Sequence, residues 1–125
     1  MTHTVTLKTA KRMKELGFSQ ETDCWWSKLK NDKWHVYTKW QIGNHPELFK
    51  DTLSAPISDE ILEVLPETIV VSNKIYVLWV NKVDGVWRCG YEEEPNSCLF
   101  FQENNKSLPE ALGQMFNYLK EKELI

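Results

Sequence analysis

Ile75-Tyr-Val-Leu-Trp-Val-Asn-Lys-Val-Asp84-Gly85-Val-Trp-Arg-Cys-Gly-Tyr-Glu92 is the stretch whose reading decides the fold. Two runs rich in β-branched and aromatic residues flank Asp84-Gly85, a dipeptide that tolerates the positive φ angles of a type I′ turn. A two-residue loop there sets Val83 against Val86, Lys82 against Trp87, Val80 against Cys89 and Leu78 against Tyr91. Because strand side chains alternate, Tyr76, Leu78, Val80, Trp87, Cys89 and Tyr91 fall on one apolar face. Val77, Trp79, Asn81, Arg88, Gly90 and Glu92 fall on the other.

Outward from this hairpin, Thr68 to Val71 is β-branched, and Ser72-Asn73 turns it back to form a three-stranded meander. Cys98 to Gln102 adds a further strand beyond the break Glu92-Glu93-Glu94-Pro95-Asn96. Upstream, residues 23–42 also alternate with period two. A turn at Asn31-Asp32 pairs Lys30 with Lys33 and Leu29 with Trp34. That register assigns Trp25, Leu29, Trp34, Val36 and Trp40 to a core face, and Cys24, Trp26, Lys28, His35, Tyr37 and Lys39 to an outer one. Residues 43–56 hold Asn44, Pro46, Asp51 and Pro56 and read as a connecting loop.

Three helices complete the expectation. The first covers residues 7–16, capped by Thr6 and stopped by Gly17, with Phe18 folding back on its last turn. A two-turn helix follows Ser58 and ends at Pro66. The last opens on Ser107-Leu-Pro-Glu110, a capping box with proline in the first turn, and runs to about Lys122. Its apolar stripe of Leu108, Ala111, Leu112, Met115, Tyr118 and Leu119 should dock on the sheet. The fold class is therefore α+β: a single domain with an antiparallel sheet of five to six strands built from two hairpins, a C-terminal amphipathic helix and two short helices.

Composition bounds the function. The chain has 125 residues, 42% of them hydrophobic, enough for one core. A net charge of −3 argues against tracking duplex nucleic acid. Three cysteines without a Cys-x-x-Cys pair point to reduced thiols in a cytoplasmic protein rather than to a disulfide scaffold or zinc knuckle. No apolar run is long enough to cross a membrane as a helix, and no secretory leader is visible.

The six tryptophans are the unusual feature. Trp79, Arg88 and Gly90 share a face on which a planar ligand could stack while Arg88 meets a phosphate or carboxylate. The alternatives are that Trp79 fills the gap over Gly90 with Arg88 stacked on its ring, or that the C-terminal helix covers this face. A second set, Trp26, Tyr37, His35, Lys28 and Lys39, suits an anionic aromatic compound or a protein surface, or is ordinary cross-strand packing. His35 shares a face with Cys24 but stands too far along the strand for a nucleophile–base pair. The run Glu92-Glu93-Glu94 reads as a solvated edge that discourages aggregation. No catalytic residues, cofactor or metal ligands are indicated.

The order Leu16-Gly17-Phe18, Ala55-Pro56 ahead of Ile61-Leu62-Glu63-Val64-Leu65-Pro66, Ile75-Tyr76-Val77-Leu78, and Ser107-Leu-Pro-Glu-Ala-Leu112 through Tyr118-Leu119 to Leu124-Ile125 resembles a family of short hypothetical proteins of phages, prophages and other mobile elements. That resemblance implies a small intracellular protein made by a mobile element, and carries no reaction or catalytic residue. The expected function is non-enzymatic binding that counteracts host defence by sequestering a nucleotide-like signal through Trp and Arg side chains. The alternative is an interaction module that inhibits a host or phage protein; in either case an exposed sheet edge and mixed Trp faces suit a homo-oligomer. A small hydrolase or nuclease is the third and weakest reading.

Overall fold

The computed structural model describes residues 3–29, 33–93 and 98–125. The Asn31-Asp32 turn with Lys30, and the Glu94-Pro95-Asn96 break, lie outside them. Seven antiparallel strands form two sheets of three and four strands, accompanied by four helices.

The central hairpin forms in the expected register. β5 (Lys74–Val83) pairs with β6 (Val86–Glu93) through Leu78 opposite Tyr91, Val80 opposite Cys89 and Lys82 opposite Trp87. Asp84 and Gly85 have φ of 51° and 77°, as a type I′ turn requires. Ser72 and Asn73 repeat the device at φ 51° and 65°, joining β4 (Thr68–Val71) to β5. β7 (Cys98–Asn105) pairs with β6 and runs three residues beyond the expected end at Gln102, giving the order β4-β5-β6-β7. Glu92 and Glu93 therefore sit in an interior strand, not at an edge, and Glu93 is buried with Lys74 Nζ 3.7 Å away.

The second sheet departs further from expectation. β1 (Cys24–Leu29) pairs with β2 (His35–Thr38) with Trp26 opposite Val36 and Ser27 opposite His35, one residue off the predicted pairing. Burial explains the slip. Trp26, opposite the buried Leu53, donates its indole N–H to the Val5 carbonyl at 3.0 Å, and Trp34 packs on the same core. The even-numbered indoles thus select the inner face, and a one-residue shift reverses every side chain. Val36, opposite Trp26 and so on the same face, is nonetheless exposed, because β2 is the edge strand of this sheet.

Trp40, expected in the core, is 75% exposed. The strand stops at Thr38 because Thr38 caps α2 (Lys39–Asn44) in a reciprocal box with Gln41, and that helix buries no residue. The stretch expected to be a loop contains a 3-10 turn, Pro46–Leu48, and the strand β3 (Phe49–Ser54), which pairs with β1 to give the order β2-β1-β3.

Two of the helices link the two sheets. α1 (Leu7–Glu15) touches β3 and the long α4 (Leu108–Glu121), and α4 packs on β6 and β7. Thr6 caps α1, Gly17 (φ 92°) stops it, and the buried Phe18 meets Phe116 edge-on at 5.1 Å. α3 (Ser58–Val64) starts at the expected cap, with Ile57 as its N-cap instead: Glu60 reaches back to the Ile57 N–H and also accepts from the Asp23 N–H. At α4 only half of the predicted box forms. Ser107 Oγ accepts from the Glu110 N–H at 3.5 Å. The Glu110 carboxylate instead accepts from the Thr6 N–H (2.8 Å), the Thr9 hydroxyl (2.5 Å) and the Gln114 amide (2.9 Å), tying α1 to α4.

Candidate functional site

Alternation along β5 and β6 puts Trp79, Arg88 and Gly90 together on the face turned away from α4. Trp79 lies across Gly90: a Cβ there would come within 3.1 Å of Trp79 Cζ2 and would run into the Phe101 carbonyl oxygen. The half-buried ring thus fills the glycine gap, and its buried indole N–H has no acceptor among the described residues. Arg88 is exposed and opposite Asn81. The three residues form a flat platform, with an unhindered guanidinium but without walls to enclose a small ligand.

The second predicted set is not brought together. Trp26 points into the core from β1, while Tyr37 and His35 face the other side of the sheet, where Tyr37 meets Phe49 at 4.7 Å and His35 at 6.3 Å. Lys28 goes with Trp26 rather than with them: its ammonium lies 5.2 Å from the Trp34 ring centroid. Lys39 stands apart on α2, exposed. The same shift of register separates Cys24 from His35, which pair with Thr38 and Ser27 and so occupy opposite faces.

A concave site occurs elsewhere, where the turn end of the central hairpin overhangs the start of α4. This cavity of about 690 Å³ is lined by Trp87, Lys82, Asn105, Lys106, Ser107 and Leu108, with Thr6, Pro109 and Glu110 below. The hairpin register explains the first pair: Lys82 faces Trp87 across the ladder and holds its ammonium 5.3 Å from the ring centroid. Lys106 immediately precedes the Ser107 cap. Neither lysine has a carboxylate partner among the described residues. Glu110, the carboxylate nearest at hand, is taken up by its three donors. The N-terminal end of α4 adds the positive pole of a fourteen-residue helix. An anionic group entering this space would meet two ammonium groups and a helix dipole beside an indole ring, in a chain that is acidic as a whole. Sequence reading passed over the trio Lys82, Trp87 and Lys106, although the predicted pairing already put the first two side by side.

The ionisable groups that burial perturbs lie outside the cavity. Burial pushes the Cys89 thiol up to about 12, with the Glu103 charge adding to it, and the thiol donates to the Ala111 carbonyl. Burial also raises Tyr91, whose hydroxyl donates to the Pro66 carbonyl at 2.8 Å. Glu103 is held above the usual carboxylate range by desolvation, and Cys24 is raised by burial with the charges of Glu60 and Asp23. All four shifts favour the neutral form, which marks packed structure rather than an activated nucleophile. Among the described residues no three His, Cys, Asp or Glu side chains gather as metal ligands would, and no helix is long and apolar enough to cross a membrane. No family model, curated protein or solved structure matches the chain.

Proposed function

We propose that this chain is a non-enzymatic binding protein that holds a planar anionic ligand of the nucleotide class in the cavity between Trp87 and the start of α4. The observation that carries this reading is the convergence of one indole and two ammonium groups without a carboxylate partner among the described residues, Lys82 and Lys106, on a single concave space. Flat rings recognise bases by stacking, and lysines at a helix N-terminus suit phosphate. Binding rather than catalysis is favoured because the lining offers ammonium, hydroxyl and amide groups and an engaged carboxylate, without a base beside a nucleophile. The same chemistry in a mobile-element protein would sequester a host nucleotide signal. The test is a thermal-shift and calorimetric screen of mono-, di- and cyclic nucleotides. Lys82→Ala and Lys106→Ala should each weaken binding by about tenfold, and the absence of binding by every nucleotide ends the reading.

A second reading, a module that inhibits a protein, is favoured by Trp40. An indole three-quarters exposed on a helix that buries nothing is the kind of anchor that fills a partner's pocket. A partner recovered by the intact protein and lost with Trp40→Ala supports it.

A further inference from the structure

The four-stranded sheet has one covered face and one open one. α4 lies on the covered face, where Cys89 bonds to Ala111 and Phe101 stacks with Tyr118 at 4.7 Å. On the open face Val70, Ile75 and Leu99 are 67%, 53% and 48% exposed, around the half-buried Trp79. A quarter of the whole chain is charged, yet Arg88 and Glu92 are the only charged residues that alternation directs outward on the described parts of these strands. Neither is ion-paired among the described residues. Loss of charge around an aromatic centre distinguishes the core of an interface from ordinary surface.

We infer that this open face is the interface of a two-fold homodimer. The argument is self-complementarity. Arg88 and Glu92 lie four residues apart on β6, with Gly90 midway and Trp79 opposite Gly90. A two-fold axis between the two faces, crossing β6 at Gly90, runs the two β6 strands antiparallel. Arg88 of each copy then stands opposite Glu92 of the other, giving two ion pairs, and the two Trp79 rings meet at the axis. Any foreign partner must supply this alternation of opposite charges around an apolar centre, whereas a second copy has it built in. The area is modest: strands of 4, 10, 8 and 8 residues, at about 3.4 Å per residue and about 4.8 Å apart, present roughly 500 Å² per copy. The pair thus buries on the order of 1,000 Å², the size at which specific interfaces begin and one that suits weak association. Two such sheets pack at about −30° with their side chains interleaved, as in a sandwich.

Sedimentation velocity from roughly 1 to 200 μM tests the inference, with Kd read from the shift between monomer and dimer. The intact protein should dimerise with a micromolar Kd. Arg88→Glu and Glu92→Arg should each weaken the dimer by about tenfold or more, and the double exchange R88E/E92R should restore it. Ile75→Lys, at an exposed position, should abolish it while leaving the melting temperature unchanged at protein concentrations below Kd. A protein that stays monomeric throughout overturns the inference. So does a dimer indifferent to Ile75→Lys, since it must form through another surface such as a strand edge.

Discussion

Gly113→Ala sets two known effects against each other in the middle of α4. On an isolated helix the change is favourable by about 1 kcal/mol, because glycine costs more backbone entropy than alanine. Here the new Cβ would lie 2.7 Å from Val5 Cγ1, 3.0 Å from Thr9 Cγ2 and 3.2 Å from Met13 Sδ. Met13 can yield, since its unbranched chain adapts. Val5 and Thr9 cannot: both are β-branched, Val5 holds Trp26 through its carbonyl, and Thr9 is bonded to Glu110. Overpacking of this kind costs about 1–3 kcal/mol, and the pinned neighbours push it to the upper end. The net result is a loss of about 1–2 kcal/mol, read in urea unfolding as a lower midpoint at unchanged slope. In heating it appears as a fall in Tm of about 4–8 °C. Val5→Ala/Gly113→Ala should be less destabilised than the sum of the single changes, because the first removes the atom that the second strikes. A Gly113→Ala protein more stable than the parent would refute the close approach of α1 to α4.

Three further outcomes follow from the packing. Glu110→Ala should cost about 2–3 kcal/mol, because it strands the Thr6 N–H and the buried Thr9 hydroxyl, whereas Glu121→Ala, which breaks only the exposed pair with Arg12, should leave stability essentially unchanged. Chemical unfolding of the two variants separates them. Iodoacetamide at neutral pH should label the exposed Cys98 readily and Cys89 only when the protein unfolds, since burial keeps that thiol protonated; mass spectrometry reads the order. Burial raises the Glu103 carboxyl, so the folded chain holds this proton more tightly than the unfolded one, and ionisation at neutral pH weakens the fold. That penalty fades as pH falls through the folded value and is gone below the unfolded one, near 4.3. Glu103→Gln should therefore melt above the parent at pH 7, with the gap closing by about pH 4.

The sequence was most legible where local chemistry and burial agree. Asp84-Gly85 and Ser72-Asn73 each specify a two-residue turn with two positive φ angles, so β4, β5 and β6 and their faces follow from counting. Val80, on the inner face yet 36% exposed, marks where the hairpin outruns α4. The first sheet was less legible because alternation there offers two registers, each with apolar residues inside. The choice between them is made by a contact distant in sequence, the Trp26 indole on the Val5 carbonyl. β3 lay hidden because Asp51 interrupts it with φ 54°, and Trp40 was misassigned because the Thr38–Gln41 box ends the strand before it. The cavity depends on how the hairpin end meets α4, so Lys106 gave no sign of its place beside Trp87.

The central claim is that Trp87, Lys82 and Lys106 form a ligand site. Its most direct test is titration of the isotope-labelled protein with the nucleotide that gives the largest thermal shift, following amide and indole resonances by NMR. The account predicts that the Trp87 indole and the amides of Lys106, Ser107 and Leu108 move together and saturate, while the Trp79 indole stays in place. Movement confined to Trp79 and Arg88, or no saturable movement anywhere, would contradict it.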